Sequence, residues 1–265
     1  MTRIQTDQVT SLAVLSDLHL TGDPASAAAL REALDVLGAG DRPDALVLPG
    51  DLTADGDPAA FALLASLVEP LGVPLVPVMG NHDSREAFLR TFGPVDRVVH
   101  VGDTRVVALD STLPGHHHGV LDPEQREWLA AELGTPAPGG TVLVLHHPPL
   151  PSPVPSVNLL RLREPERLGE VVAGSDVRMI VCGHAHYAGA GALAGIPVWV
   201  APALYYRVDT FPPAGRLRGL AGPAFSRVDL IDGVAVAAAS PLGGDTVYDV
   251  DAAERVAWMT ARIPA

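Results

Sequence analysis

Five short polar stretches, each following an apolar run, hold the residues able to do chemistry: Asp17-Leu18-His19, Gly50-Asp51, Gly80-Asn81-His82-Asp83, His146-His147 and Gly183-His184-Ala185-His186. They supply two carboxylates (Asp17, Asp51), one amide (Asn81) and the imidazoles of His19, His146, His184 and His186, with His82 beside them. A lone Asp could cap a helix, and a lone His could sit in a core. Five endings of one kind call for a common cause. Gathered in an apolar frame with no Lys or Arg among them, these groups would be a crowd of lone pairs and negative charge. Burial penalises that arrangement unless a cation sits inside it.

Divalent metal ions answer that need. Seven candidate ligands are too many for one tetrahedral zinc, but they suit two ions if one carboxylate is shared. The donors are nitrogen and oxygen with no thiolate, which selects Mn, Fe, Zn or Co over a closed structural zinc. Two such ions, roughly 3.5–4 Å apart, would lower the pKa of a bridging water to about 7 and clamp a phosphoryl group for attack by the resulting hydroxide. His82 carries a proton near neutral pH and is the candidate to protonate the leaving oxygen; with Asn81 it forms the expected catalytic pair. Gly80 would permit a turn that a residue with a Cβ resists. Asp83 adds a carboxylate beside Asn81 and His82. His116, His117 and His118, in the loop Leu113–Gly119, are either a solvated turn or a lid that touches substrate.

The elements that must position these groups follow from periodicity. Apolar runs at 12–16, 45–48, 73–78, 141–145 and 177–181 read as buried strands. Helical spacing or capping signals mark 24–38, 58–71, 84–92, 122–133 and 164–173. Strand and helix alternate through the first 90 residues, which predicts right-handed crossovers and parallel strands. Ligands of such sheets gather at the carboxyl ends of the strands, where all five polar stretches fall. Gly102-Asp103 and Asp232-Gly233 mark hairpins. The Pro-rich stretch 148–155 and residues 202–224 read as surface loops, and the stretch from Gly243 reads as a tail. With neither repeat nor linker, residues 1–265 are expected to form one domain, with a homodimer contact available to residues 202–265.

Composition narrows the function. The net charge of −13 argues against a nucleic-acid polymer or an anionic membrane as partner. All 18 basic residues are Arg, so no Lys nucleophile exists. The single cysteine, Cys182, cannot form an intramolecular disulfide, which suits a reducing compartment. Met1–Thr10 is polar, without the apolar core of a leader, and no apolar run reaches the ~18 residues of a membrane helix. The expectation is a soluble, cytoplasmic protein.

In order and spacing, the five stretches resemble the five-block signature of the calcineurin-like metallophosphoesterases, over residues 17–186. Leu113–Gly119, His146-His147-Pro148-Pro149 and Pro241-Leu242-Gly243-Gly244 resemble the bacterial class III cyclic-nucleotide phosphodiesterases. The resemblance implies a four-layer α/β/β/α sandwich of two mixed sheets, with the metal site at the C-terminal ends of strands. It implies that Asp17, His19 and His186 hold one ion, that Asn81, His146 and His184 hold the other, and that Asp51 bridges. The implied substrate is a small phosphodiester, 3′,5′-cAMP or a 2′,3′-cyclic nucleotide. A phosphomonoester or a nucleotide pyrophosphate is the alternative, and a non-catalytic scaffold is a third reading. In many members an acid three residues after the bridging Asp orients the catalytic His. Here that residue is Ala54, so either Asp55 substitutes or another group serves.

Overall fold

The computed structural model describes residues 9–262, so most of the polar stretch Met1–Thr10 lies outside the described residues. The elements run β1 (Val9–Val14), α1 (Ala28–Ala39), β2 (Ala45–Pro49), α2 (Pro58–Val68), β3 (Leu75–Val78) and α3 (Arg85–Phe92). They continue through β4 (Arg97–Val101), β5 (Thr104–Leu109), α4 (Pro123–Leu133), β6 (Thr141–Leu145), α5 (Pro155–Asn158), α6 (Pro165–Val172) and β7 (Val177–Cys182). The chain closes with β8 (Gly189–Leu193), β9 (Ile196–Val200), β10 (Arg207–Val208), β11 (Gly219–Leu220), β12 (Ala224–Ile231), β13 (Val234–Pro241) and α7 (Ala252–Thr260).

The strands form two mixed sheets, ordered β13-β12-β1-β2-β3 and β4-β5-β6-β7-β9-β8. In the first, β1, β2 and β3 are parallel and the β12–β13 hairpin adds antiparallel to β1. In the second, β5, β6, β7 and β9 are parallel, with β4 and β8 antiparallel at the edges.

Side-chain alternation decides the layering. Ala13, Leu15, Leu46 and Leu48 pack with Leu30, Phe61, Leu64 and Phe88 of α1–α3. Their neighbours Leu12, Val14 and Val47 point the other way, onto Val106, Val142, Val144 and Val181 of the second sheet. That sheet's reverse face packs Val107, Leu143 and Ile180 against Leu129 of α4 and Leu168 of α6. Packing therefore runs helices, sheet, sheet, helices. Strands covered on both faces explain why β2 and β6 are buried along their whole length.

Two readings change. The stretch from Gly243 is not a featureless tail, since it contains α7. Asp251 caps it by accepting from the Glu254 amide (2.8 Å), and the Arg262 guanidinium lies 3.8 Å over the Trp258 ring. The helix buries no residue, and Val256, Trp258 and Met259 on it are exposed. The loop at 148–155 runs straight into the short α5, and residues 202–224 carry the β10–β11 pair.

Candidate metal centre

Each predicted residue leaves the end of a strand. Asp17 and His19 follow β1, Asp51 follows β2, and Asn81 and His82 follow β3. His146 follows β6, and His184 and His186 follow β7. Five of these residues turn in the left-handed region, with φ of 53° at Asp17, 46° at His19, 49° at Asp51, 68° at His184 and 53° at His186. Such backbone costs about 1–3 kcal/mol per residue and persists where the surroundings over-determine it.

Glycines let the turns close on one another. A Cβ on Gly80 would overlap the amide and carboxylate of Asp51, and one on Gly183 would overlap Ser16 and Asp17. The expected reason for Gly80, freedom to turn, gives way to crowding. Its φ is not among the positive ones, and what it supplies is room.

Hydrogen bonds fix which atoms face inward. His146 Nδ1 lies 2.8 Å from the Pro49 carbonyl and His186 Nδ1 lies 3.0 Å from the Tyr206 carbonyl. A carbonyl only accepts, so both Nδ1 atoms donate, and in the neutral rings each Nε2 presents a lone pair. The His184 amide donates to both oxygens of Asp17, at 3.0 Å each, and the Ser16 hydroxyl donates to Asp17 at 2.6 Å. The His82 amide donates to Asp51 Oδ1 at 2.9 Å.

The remaining atoms form two groups. In one, His19 Nε2 and His186 Nε2 are 3.1 Å apart, with Asp51 Oδ2 3.6 Å from His19 and Asp17 Oδ1 3.5 Å from His186. In the other, His146 Nε2 is 3.1 Å from His184 Nδ1, 3.2 Å from Asn81 Oδ1 and 3.4 Å from Asp51 Oδ1. Asp51 thus gives one oxygen to each. His184 Nε2 is buried with no hydrogen-bond partner among the described residues.

This donor set fits divalent ions, because lone pairs and carboxylates converge with nothing positive between them. Protonation shows the same demand. Burial opposes a proton on His146, but Asp51 outweighs burial and raises the imidazole to about 9. Burial, reinforced by the charge of His146, pushes His184 down to about 3. His186 is likewise raised: burial opposes the proton, but the charge and hydrogen bond of Asp17, with the Asp51 charge and the Tyr206 carbonyl, together outweigh it, while burial pushes His19 down to about 4. Within each facing pair, one ring is therefore pushed toward the protonated form and the other away from it.

His82 stands apart and exposed. Its Nδ1 donates to the Ala54 carbonyl (2.8 Å), leaving Nε2 to face the cavity. The anticipated acid is not what orients it, for Asp55 accepts from the Asp57 amide. The backbone at the departure position does the work itself, which no residue-type reading could find. Asp83 accepts from the amides of Leu52, Thr53 and Gly80 and from the Thr53 hydroxyl. It ties two strand ends together; burial, with the charge of Asp51, raises it to about 6.

Of the three loop histidines, only His117 lines the cavity. Its Nδ1 accepts from the Asn81 amide nitrogen at 3.2 Å, which turns the Asn81 oxygen toward His146. His116 and His118 pair with each other, ring centroids 5.1 Å apart, and are absent from the cavity wall. His147 is buried behind the site on Ser111, whose hydroxyl is 2.9 Å from its Nδ1.

The cavity over the two groups holds about 480 Å³. Besides the site residues, its wall includes Val157, Leu160, Tyr205, Tyr206, Val208 and Leu217, with no Arg or Lys. Sequence reading passed over this wall, since apolar loop residues give no local signal.

The chain matches the family described as Calcineurin-like phosphoesterase over residues 10–188. It is 43% identical over 251 residues to a cAMP/cGMP dual specificity phosphodiesterase of Mycobacterium tuberculosis, covering 87% of this chain and 79% of that protein. It is 40% identical over 248 residues to a Rhodococcus erythropolis protein named a probable cyclic nucleotide phosphodiesterase, covering 86% and 82%. Among solved structures, a purple acid phosphatase from yellow lupin superposes with a TM-score of 0.68 at 15% identity, covering 91% of this chain and 53% of that one. At that identity the likeness speaks to fold alone.

Proposed function

The chain belongs to the calcineurin-like phosphoesterase family, and from that premise we propose that it is a two-metal phosphodiesterase that opens cyclic nucleotides, 3′,5′-cAMP or a 2′,3′-cyclic nucleotide. The observation that carries the reading is Asp51, whose two oxygens reach two separate groups of inward-facing donors. Asp17, His19, Asp51 and His186 would hold one ion; Asp51, Asn81, His146 and His184 the other. Mn, Fe, Zn or Co suit these donors. When bound, such ions supply positive charge against phosphoryl oxygens and a water acidic enough to attack at neutral pH.

The chain's own residues do the rest. Asp17 and Asp51 are held as carboxylates, because the histidines around them outweigh burial and keep both acids below the usual range. His117 holds the Asn81 amide in one orientation. The Ala54 carbonyl holds one proton on His82 Nδ1, so it is as the imidazolium that His82 would carry a second proton, on Nε2, to give to the departing oxygen.

The cavity wall favours a diester over a monoester. A monoester carries up to −2 near pH 7, and no Arg or Lys lines the cavity to meet the second charge. A diester carries −1 and two organic arms, which the apolar walls suit. Rates on a cyclic nucleotide, a linear diester and a monoester, with defined metals, test this. The expected order places the monoester last by at least about tenfold; a monoester turned over faster than both diesters would reverse the assignment.

The remaining features fit around this reading. The lone Cys182 is buried and burial pushes its thiol well up, which suits a reducing cytoplasm. Among the described residues no helix is long and apolar enough to cross a membrane. A homodimer through residues 202–265 is supported by exposed Val234 and Val236 on β13 and by Val256, Trp258 and Met259 on α7. Light scattering at a single 27.6 kDa chain would remove it.

A further inference from the structure

Tyr205 has no part in the steps above, yet the structure presents its ring with care. The residue before it, Leu204, is buried, and its amide donates to the Ser16 carbonyl at 2.9 Å, beside Asp17. The residue after it, Tyr206, accepts from His186 Nδ1 through its carbonyl at 3.0 Å. Two residues further on, the Val208 amide donates to the His186 carbonyl at 2.7 Å. The backbone around Tyr205 is thus bolted to the first and last of the five strand-end stretches.

The ring itself is left bare. It is 59% exposed, and its centroid lies 5.2 Å from the His19 ring and 5.3 Å from that of Tyr206. A ring this open on a fixed backbone leaves a flat apolar face for a ligand in the cavity to cover. It borders the same cavity as His82 and the two donor groups, and Val157 and Leu160 line that cavity with it. The cavity therefore joins polar donors to a lining of aromatic and aliphatic side chains. A phosphodiester whose organic arm is planar fills both.

We propose that Tyr205 is the platform on which the nucleobase of a cyclic nucleotide stacks, with Val157 and Leu160 covering the other face of the base. The proposal rests on the cyclic-nucleotide reading above and names the part of the protein that recognises the nucleoside. Aromatic faces accept any base, because each base presents a π surface. Tyr205 should therefore give preference for a base over none, and little choice among bases. The stacking needs the ring and not the hydroxyl, so Tyr205→Phe should keep it.

The test compares 3′,5′-cAMP with its base-free analogue, a ribose 3′,5′-cyclic phosphate with hydrogen at C1′, in the metal-loaded enzyme. The readout is the ratio of the two kcat/KM values. Losing a stacked base costs about 5- to 150-fold, so that ratio should fall by about tenfold or more in Tyr205→Ala. The change should lie in KM for cAMP, and Tyr205→Phe should restore the ratio. Metal content measured on each variant separates this outcome from damage to the donor groups. A ratio unchanged in Tyr205→Ala, or one that Tyr205→Phe fails to restore, overturns the platform while leaving the phosphodiesterase reading intact. Wild-type protein that turns over neither cyclic substrate, yet hydrolyses a monoester, overturns both.

Discussion

At the scale of single residues, the account depends on which nitrogen of each imidazole faces inward. His82 is the sharpest case, with Nδ1 committed to the Ala54 carbonyl and Nε2 free for the substrate. If it protonates the leaving oxygen, His82→Ala should keep its metals and lose about 10²- to 10⁴-fold in turnover on an alkyl diester. An aryl diester, whose leaving group needs no proton, should lose far less. Equal losses on both would remove the acid role. A second consequence concerns pH. His146 is raised to about 9 in the metal-free chain because Asp51 overcomes its burial, and His186 is raised by Asp17 together with Asp51 and the Tyr206 carbonyl. A raised imidazole keeps its proton until the pH passes the raised value, so below about pH 9 an incoming ion must expel it. Apparent metal affinity should then climb by about tenfold per pH unit for each proton displaced, between pH 6.5 and 9. Calorimetry in buffers of different ionisation enthalpy would count those protons; binding without proton release would contradict a proton held on His146 in the metal-free chain. The candidate donors themselves were legible in the sequence, because apolar runs that stop at Asp, Asn and His display them openly. The carbonyls of Ala54, Pro49 and Tyr206 that aim the rings were not, because every residue carries a carbonyl.

At the scale of elements, the site is a product of tight strand-end turns. Gly80 has space for no side chain beside Asp51. Gly80→Ala should therefore displace the Asp51 carboxylate and weaken metal binding by at least about tenfold, with circular dichroism unchanged; undiminished affinity would show that the turn tolerates a shift. Far from the site, Arg105 on β5 makes a buried network. Its guanidinium donates to Asp176 at 2.8 Å and to the Thr141 hydroxyl at 2.9 Å, and Thr141 in turn donates to Asp176 at 2.8 Å. Arg105→Met leaves a buried carboxylate unpaired and should cost about 3–5 kcal/mol in denaturant unfolding. Arg105→Met combined with Asp176→Leu should recover most of it, and a single-variant loss below about 1 kcal/mol would show that the pair is better solvated than it looks. Strands and most helices could be read from periodicity and caps, as with Asp122 and Gln125 at the start of α4. The left-handed turns at Asp17, His19, Asp51, His184 and His186 could not, because nothing in those residue types demands them. The helix α7 escaped for the opposite reason, being regular without a buried face.

At the scale of the whole molecule, the centre exists only where the two sheets meet. Asp17, His19, Asp51, Asn81 and His82 leave the first sheet, and His146, His184 and His186 leave the second. The apolar layer between the sheets, from Leu12 and Val14 to Val142 and Val181, thus sets the distance between the two halves of the ligand set. The sequence order of the five stretches was plain, but the pairing of β12 with β1, which completes the first sheet from the far end of the chain, was not. The central claim is that Asp51 joins two cation positions and that both are needed for turnover. It is tested most directly by counting metal per chain by mass spectrometry on the same samples in which cyclic-nucleotide hydrolysis is measured, as ions are returned to chelator-treated protein. Two ions per chain at saturation are expected, with turnover appearing as the second binds, and with both lost in Asp51→Ala. Full turnover at one ion per chain or fewer would contradict the account.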